Sequence, residues 1–169
     1  MIKTGEKLPQ ATVFEMIEEE RAGCTIGPNS FDVQKETAGK RVVIFGLPGA
    51  FTPTCSARHV PGYVEAAEKL RSAGIDEIWC VSVNDAFVMG AWARDQRTSG
   101  KVRMMADGSA AFTRALGLEQ DLSARGMGIR SQRYAMVVDD GVVKTLHVEA
   151  PGKFEVSDAA SILATLSQA

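Results

Sequence analysis

An α/β fold, with a central mixed β-sheet carrying helices on both faces, is what this sequence predicts, and three observations predict it. Two short apolar runs, Arg41 to Gly46 (RVVIFG) and Glu77 to Val83 (EIWCVSV), have the composition of strands buried on both faces. Each is followed by a stretch whose apolar residues recur at helical spacing. Nearer the carboxyl end, two more strand-like runs flank Asp139-Asp140-Gly141, a hairpin turn signal.

Taken in order, Thr12 to Ile17 reads as an amino-terminal β extension, and Arg41 to Gly46 as a central strand that stops at the turn Leu47-Pro48-Gly49. After Thr54 the pattern is helical through about Ser72, with Val60, Tyr63, Val64, Ala67 and Leu70 on one face and Gly74 as the stop. Pro61 falls inside that helix and predicts a bend. The strand Glu77 to Val83 leads to Asn84, read as the N-cap of a helix from Asp85 to about Arg97. Val102 to Ala106 reads as a short strand, Ser109 to Leu116 as a short helix, and Gly117 to Gln132 as a long loop of the functional or mobile kind. Arg133 to Val138 and Val142 to Val148 form the hairpin, and Ser157 is read as the cap of a closing helix through Leu166. The order βαβα followed by ββα matches the thioredoxin fold. In such sheets chemistry gathers at the carboxyl ends of the parallel strands, and Cys55 falls there, one loop after the first central strand.

The 169 residues contain no repeat and no linker, so a single domain over 1–169 is expected. The net charge is -2 and no basic run offers to neutralise a series of phosphates, which argues against nucleic acid as a partner. No apolar stretch approaches the roughly 20 residues of a membrane span, and Met1 to Gln10 has no signal-peptide core. The expectation is a cytoplasmic protein without a membrane partner. Cys24, Cys55 and Cys80 form an odd set with neither C-x-x-C nor zinc-like spacing, so neither a disulfide framework nor a metal site is expected.

Among the three, Cys55 stands out by context. In Pro48-Gly49-Ala50-Phe51-Thr52-Pro53-Thr54-Cys55 it lies where loop becomes helix, close to free backbone N–H groups and the positive end of the helix dipole. Both favour a thiolate, and the same N–H groups suit a peroxide oxygen. Thr52 is placed to set a hydroxyl beside the sulfur, as acceptor of a peroxide proton or as donor to the thiolate, and Pro48 to cover the pocket with an apolar ring. Singly, each residue has an ordinary explanation, as N-cap, turn residue or packed thiol.

The conjunction PxxxTxxC resembles the active-site motif of the peroxiredoxins, and FGLPGAFTPTCSARHVPGY resembles their type II, or five-type, class. VSVNDAFVMGAWA, VRMMADGSAAFTRALGL and RYAMVVDDGVVKTLHVE continue the resemblance over roughly residues 3 to 168. It implies a thiol-dependent peroxidase that reduces hydrogen peroxide or alkyl hydroperoxides through a Cys55 sulfenic acid, without metal, haem, flavin or nucleotide. It also assigns Arg133 as the arginine that joins the cysteine. An arginine opening a strand suits that role electrostatically, because its permanent charge can face both thiolate and leaving oxygen. Arg125 and Arg130 read instead as solvated loop cations, and His59 and His147 as structural hydrogen-bonding residues.

Cys80 sits in the middle of its strand and reads as a buried, inert thiol, too deep to bridge to Cys55 without unwinding of the Cys55 helix. Cys24, in RAGCTIGP, is placed on a loop or hairpin tip. The stretch Gly152 to Val156, where some five-type relatives carry a resolving cysteine, has none. A one-cysteine cycle recycled by glutaredoxin with glutathione, or by thioredoxin, is the expectation. The rivals are a thiol-disulfide oxidoreductase, disfavoured because Arg58 stands where C-x-x-C would need cysteine, and a peroxide-sensing or chaperone-like binding protein. The resemblance further implies a homodimer. Phe87, Val88, Met89, Ala91 and Trp92 make their helix more apolar than one buried face requires, which fits that expectation.

Overall fold

The computed structural model describes residues 1–167; residues 168 and 169, the end of the single domain expected over 1–169, lie outside the described residues. The chain opens with an antiparallel hairpin of β1 (Thr12–Ile17) and β2 (Gly27–Asp32), whose far end carries the partly exposed Cys24. Asp32 caps the short α1 (Val33–Thr37) by accepting from the Lys35 amide. Then follow β3 (Arg41–Gly46), a π-helical turn (Cys55–His59) running into α2 (Val60–Ser72), β4 (Glu77–Ser82), α3 (Ala86–Gln96), β5 (Arg103–Ala106) and α4 (Ala111–Leu116). A small hairpin of β6 (Glu119–Asp121) and β7 (Ile129–Ser131) leads to β8 (Tyr134–Asp139), β9 (Val142–Val148) and α5 (Ala159–Ser167).

Seven strands make one mixed sheet in the order β2-β1-β5-β4-β3-β8-β9, with β3, β4 and β5 parallel and the flanking pairs antiparallel. This is the thioredoxin-like arrangement with an amino-terminal extension added at the β5 edge. Alternation along the central strands sends Val43, Phe45, Ile78 and Cys80 to a layer with α2, α3 and α5. Val42, Ile44, Trp79 and Val81 go to the opposite layer, with Leu8, Val33 and Phe112. The β8–β9 hairpin turns on Asp140 (φ 47°) and Gly141 (φ 76°), a left-handed pair of the kind two-residue hairpins require.

Four sequence expectations are corrected. Asp85, not Asn84, caps α3, accepting from the Val88 amide at 2.8 Å, while the Asn84 side chain is drawn away to the Ala50 amide. The stretch 117–132 is not one open loop, since β6 pairs with β7 from Glu119↔Ser131 to Asp121↔Ile129. Ser157 does not cap the closing helix; its hydroxyl is taken by Glu149, and Asp158 accepts from the Ser161 amide instead. Trp92 is not a surface residue: it is fully buried, its indole N–H bonded to Ser56 Oγ at 3.0 Å. Each miss has one cause, a competing hydrogen-bond partner or neighbour that the fold brings alongside.

The extension is fastened by Arg103, whose guanidinium meets Glu15 at 2.9 Å, Glu36 at 2.7 Å and Glu77 at 2.8 Å, and lies 4.9 Å from the Phe31 ring centre. It joins β1, α1, β4 and β5 at one point, and the Glu15 side chain is only 9% exposed. Removing one member of a buried ionic cluster strands the rest, typically at 3–5 kcal/mol. Arg103→Met is expected to cost about 3 kcal/mol in urea unfolding, the low end, because Arg21 and Lys40 remain beside Glu15 and Glu77. Arg94→Met, which breaks only the exposed pair with Glu18, is expected to cost under about 1 kcal/mol. Equal losses for the two would show that Arg103 is not the fastening.

Candidate active site

The active-site loop starts where β3 ends. Gly46 pairs with Tyr134 of β8, and a Cβ at Gly46 would run into the Tyr134 ring. Only glycine lets the two strands close at this point, and that closure brings Arg133, the residue before β8, alongside the loop. The loop is tied down along its length. Pro48 O accepts from Arg130 Nη1 at 3.2 Å, the Ala50 amide donates to Asn84 Oδ1 at 2.9 Å, and Thr52 Oγ1 donates to Gly49 O at 2.7 Å. Phe51 holds a positive φ of 62°, a conformation that costs a non-glycine residue of order 1 kcal/mol and persists only where such ties impose it.

Helical conformation begins at Pro53, a residue whose fixed φ and missing N–H suit the first helical position. Ser56 N–H bonds Thr52 O, and the Thr54 and Cys55 amides at the helix start have no acceptor among the described residues. From Cys55 to His59 the turn is widened to π form, Val60 N–H bonding Cys55 O. The reason lies at Pro61, which offers no N–H and whose ring would press on a carbonyl one turn back in a tight α-helix. The bend expected at this proline is therefore realised as a π turn on its amino-terminal side.

Cys55 is fully buried, and Arg133 reaches it: Nη2 donates to Sγ at 3.2 Å, while Nη1 donates to His59 Nδ1 at 2.8 Å. His59 Nε2 in turn lies 3.0 Å from Ser157 O. An arginine can only donate and a carbonyl can only accept, so His59 is neutral with its proton on Nε2. Its pKa agrees, pushed down to about 3, first by burial and then by the Arg133 charge. His59 is thus no base for the cysteine. It is a buried strut that fixes one edge of Arg133 so that the other points at sulfur.

The segment after β9 closes over this pair. Glu149 takes the Ser157 hydroxyl at 2.7 Å and the amides of Glu155, Val156 and Ser157 at 2.8–2.9 Å. Burial opposes its ionisation, but these donors outweigh burial and hold the carboxyl below its usual range. The segment so pinned lays Phe154 beside His59, ring centres 4.9 Å apart, and 5.8 Å from the Arg133 guanidinium carbon.

Of the residues singled out in the sequence, Pro48, Thr52 and Arg133 line one cleft, while Cys55 is buried and reached from it through Arg133. Thr52 spends its proton on Gly49 O, so toward the pocket it can accept but not donate, which narrows the two roles weighed for it to one. Arg130 is corrected: far from being a solvated cation, it is half-buried, donating to Met127 O and Pro48 O, and it braces the loop. Arg125 is exposed at the cleft rim. Cys80 is fully buried mid-strand between Phe45 and Met104, its thiol pushed well up by burial and then by the neighbouring Cys55. His59 is the structural hydrogen-bonding residue the sequence indicated; its partners, and Glu149, escaped the sequence reading, which had no means of seeing that the chain near residue 157 returns to helix start and strand end alike.

His59 also sets a pH dependence. Unfolded, it binds a proton below about 6.5; folded, it refuses one down to about 3, so stability falls on acidification through that interval. Between pH 6.5 and pH 5.5, above the unfolded range of the carboxylates Glu149 and Glu77, the loss is expected to reach about 1 kcal/mol. His59→Gln is expected to flatten urea-derived stability over this interval; an unchanged slope would place the proton elsewhere.

Comparison with known proteins identifies the family. The Redoxin family model matches residues 3–163. Peroxiredoxin-2B of Arabidopsis thaliana is 46% identical over 98% of both chains. The structure of reduced Prx3 of Vibrio vulnificus in complex with hydrogen peroxide superposes with a TM-score of 0.91, at 52% identity over 98% of this chain and 99% of that one. A Burkholderia cenocepacia structure, described provisionally as a thioredoxin reductase, is 79% identical over 98% of both chains with a TM-score of 0.97. That description does not suit the present chain, which has no C-x-x-C pair and whose three cysteines are all free. By family match, by relatives spanning its length and by the likeness of its fold, the chain belongs to the Redoxin family and, within it, to the type II peroxiredoxins, thiol-dependent peroxidases.

Proposed function

We propose that Cys55 is the peroxidatic thiol, that Arg133, Thr52 and Pro48 complete its site, and that it turns over by a one-cysteine cycle. The observation that carries this is the 3.2 Å contact from Arg133 Nη2 to Cys55 Sγ, a fixed cation on a buried sulfur. Thiolate sulfur attacks the distal oxygen of the peroxide; an S–O bond forms as the O–O bond breaks. The leaving alkoxide or hydroxide takes the bonding pair and then a proton, so the sulfur is oxidised by two electrons to sulfenic acid and the peroxide is reduced to alcohol or water. Arg133 faces the thiolate before the step and the leaving oxygen during it, where charge builds up. The free amides of Thr54 and Cys55 hold the peroxide, and Thr52 Oγ1 accepts its proton-bearing end. Pro48 keeps water from the pocket.

For the return half, an external thiol attacks the sulfenic sulfur, water leaves, and a second thiol cleaves the mixed disulfide to regenerate Cys55. Glutathione with glutaredoxin, or thioredoxin, supplies those thiols. Cys80 is no resolving partner in this scheme, because it is sealed in the core beneath a sheet register that would have to break. A homodimer fits two exposed aromatics near the active-site loop, Phe51 at 53% and Phe87 at 69% exposure, and no longer involves Trp92.

Cys55→Ser is expected to abolish peroxidase turnover with the fold intact, while Arg133→Gln slows Cys55 oxidation by about 100-fold or more and Thr52→Val by about tenfold. Stopped-flow oxidation of the reduced protein measures all three; wild-type rates in Arg133→Gln would remove the cation from the mechanism, and a single stoichiometric oxidation without turnover would favour a sensor. With one equivalent of peroxide and no reductant, mass spectrometry should find Cys55 sulfenic acid or its higher oxides, and Cys24→Ser/Cys80→Ser should keep most turnover with glutathione and glutaredoxin. An accumulating Cys55–Cys80 disulfide would sink the one-cysteine cycle. Sedimentation of the reduced protein should show a dimer that Phe51→Glu/Phe87→Glu dissociates; a wild-type monomer at micromolar concentration would contradict it.

A further inference from the structure

The cleft lined by Pro48, Thr52 and Arg133, the last of which bonds the buried Cys55, is far larger than hydrogen peroxide requires. Its volume is about 680 Å³, within the range of pockets for organic ligands, and its walls carry Pro53, Leu122, Met127, Pro151 and Phe154. Around this apolar surface stand three exposed cations, Arg58, Arg125 and Lys153, none of which has a carboxylate within 4.0 Å among the described residues. The cleft's one acidic residue, Glu149, is spent on three amides and a hydroxyl. Arg133 is spent on Cys55 and His59. The Arg58 guanidinium carbon lies over the Phe154 ring, 4.8 Å from its centre, a contact that holds the cation in place without using its N–H donors. Such a concentration of unpaired positive charge in a chain of net charge -2 is not a consequence of composition.

We propose that Arg58, Arg125 and Lys153 form a carboxylate-binding rim that selects organic hydroperoxides carrying an acid group, whose apolar body lies on the cleft wall and whose peroxide reaches Cys55. This rests on the peroxidase reading of Cys55. The chemistry is that of the proposed function, ROOH plus thiolate plus a proton giving ROH and Cys55 sulfenic acid; the rim adds orientation and encounter rate. A carboxylate-bearing thiol reductant would offer the same group to the same cations, so the two half-reactions have to be read apart.

The probes are cumene hydroperoxide bearing a ring carboxylate and the methyl ester of the same compound, mixed with reduced protein in stopped flow. The expected result at low salt is an acid-to-ester ratio of oxidation rate constants of about tenfold or more. The ratio should fall toward one between about 0.01 M and about 1 M salt, as the Debye length shrinks from about 30 Å to about 3 Å. It should also fall toward one in Arg58→Gln/Lys153→Gln. A ratio near one in the wild type, with both compounds reacting fast, overturns the rim and spares the peroxidase reading. A ratio that survives in the double variant overturns it too, as does a defect confined to reduction of the sulfenic acid by an anionic thiol relative to a neutral one. Failure of both compounds where hydrogen peroxide still oxidises Cys55 overturns the rim alone; failure of hydrogen peroxide as well overturns the peroxidase reading, and the rim with it.

Discussion

A sulfur buried from water is a poor place for a negative charge, because the desolvation cost of an unpaired ion is several kcal/mol or more. The arrangement around Cys55 would meet that constraint under the proposed function. The cation comes from Arg133, and an arginine is a long, flexible side chain whose charge helps only where it is held. Two things hold it. The register of β8 on β3, closed at Gly46 against Tyr134, sets its backbone beside the active-site loop. The neutral ring of His59 then accepts one arm of the guanidinium and leaves the other on sulfur.

Holding His59 neutral in turn fixes much of what surrounds it. Its proton needs an acceptor, and Ser157 O provides one while also accepting from the Tyr63 hydroxyl at 2.8 Å. That carbonyl belongs to a segment with little secondary structure, so Glu149 stands in for a strand by gathering its amides. Phe45 and Tyr63, stacked at 4.1 Å, complete the wall behind the imidazole. A chain of single contacts thus runs from a carboxylate after β9, through a carbonyl, a ring and a guanidinium, to the reactive sulfur. The loss of any link loosens the last one.

The π turn belongs to the same logic. A regular α-helix starting near Cys55 would set the Pro61 ring against a carbonyl, and the chain relieves this by taking one extra residue into the turn, between the cysteine and the histidine that share Arg133. On the far side of the molecule the amino-terminal hairpin is secured quite differently, by one cation among three carboxylates. The two arginine sites contrast in purpose. Arg103 is saturated by acids and holds elements together, whereas Arg133 has no carboxylate oxygen within 4.0 Å among the described residues and meets the Cys55 sulfur instead.

Much of this was legible in the sequence where the signal is local. The strand runs at Arg41 and Glu77, the Asp-Asp-Gly turn and the cysteine at a loop-to-helix junction depend on residues adjacent in the chain, and their periodicity, composition and turn chemistry read directly; Cys55, Thr52 and Pro48 were singled out that way, and Arg133 with help from family resemblance. What tertiary structure alone decided is which donors meet which acceptors. Asn84 lost its capping role to Asp85 because Ala50 competes for its oxygen, and Arg130 became a brace because Pro48 offers a carbonyl. His59 acquired its tautomer from Arg133 and from Ser157, 74 and 98 residues away. A hydrogen bond acts over about 3 Å while sequence spacing says nothing about approach in space, so the polarity of each side chain was fixed by the sequence and its partner only by the fold.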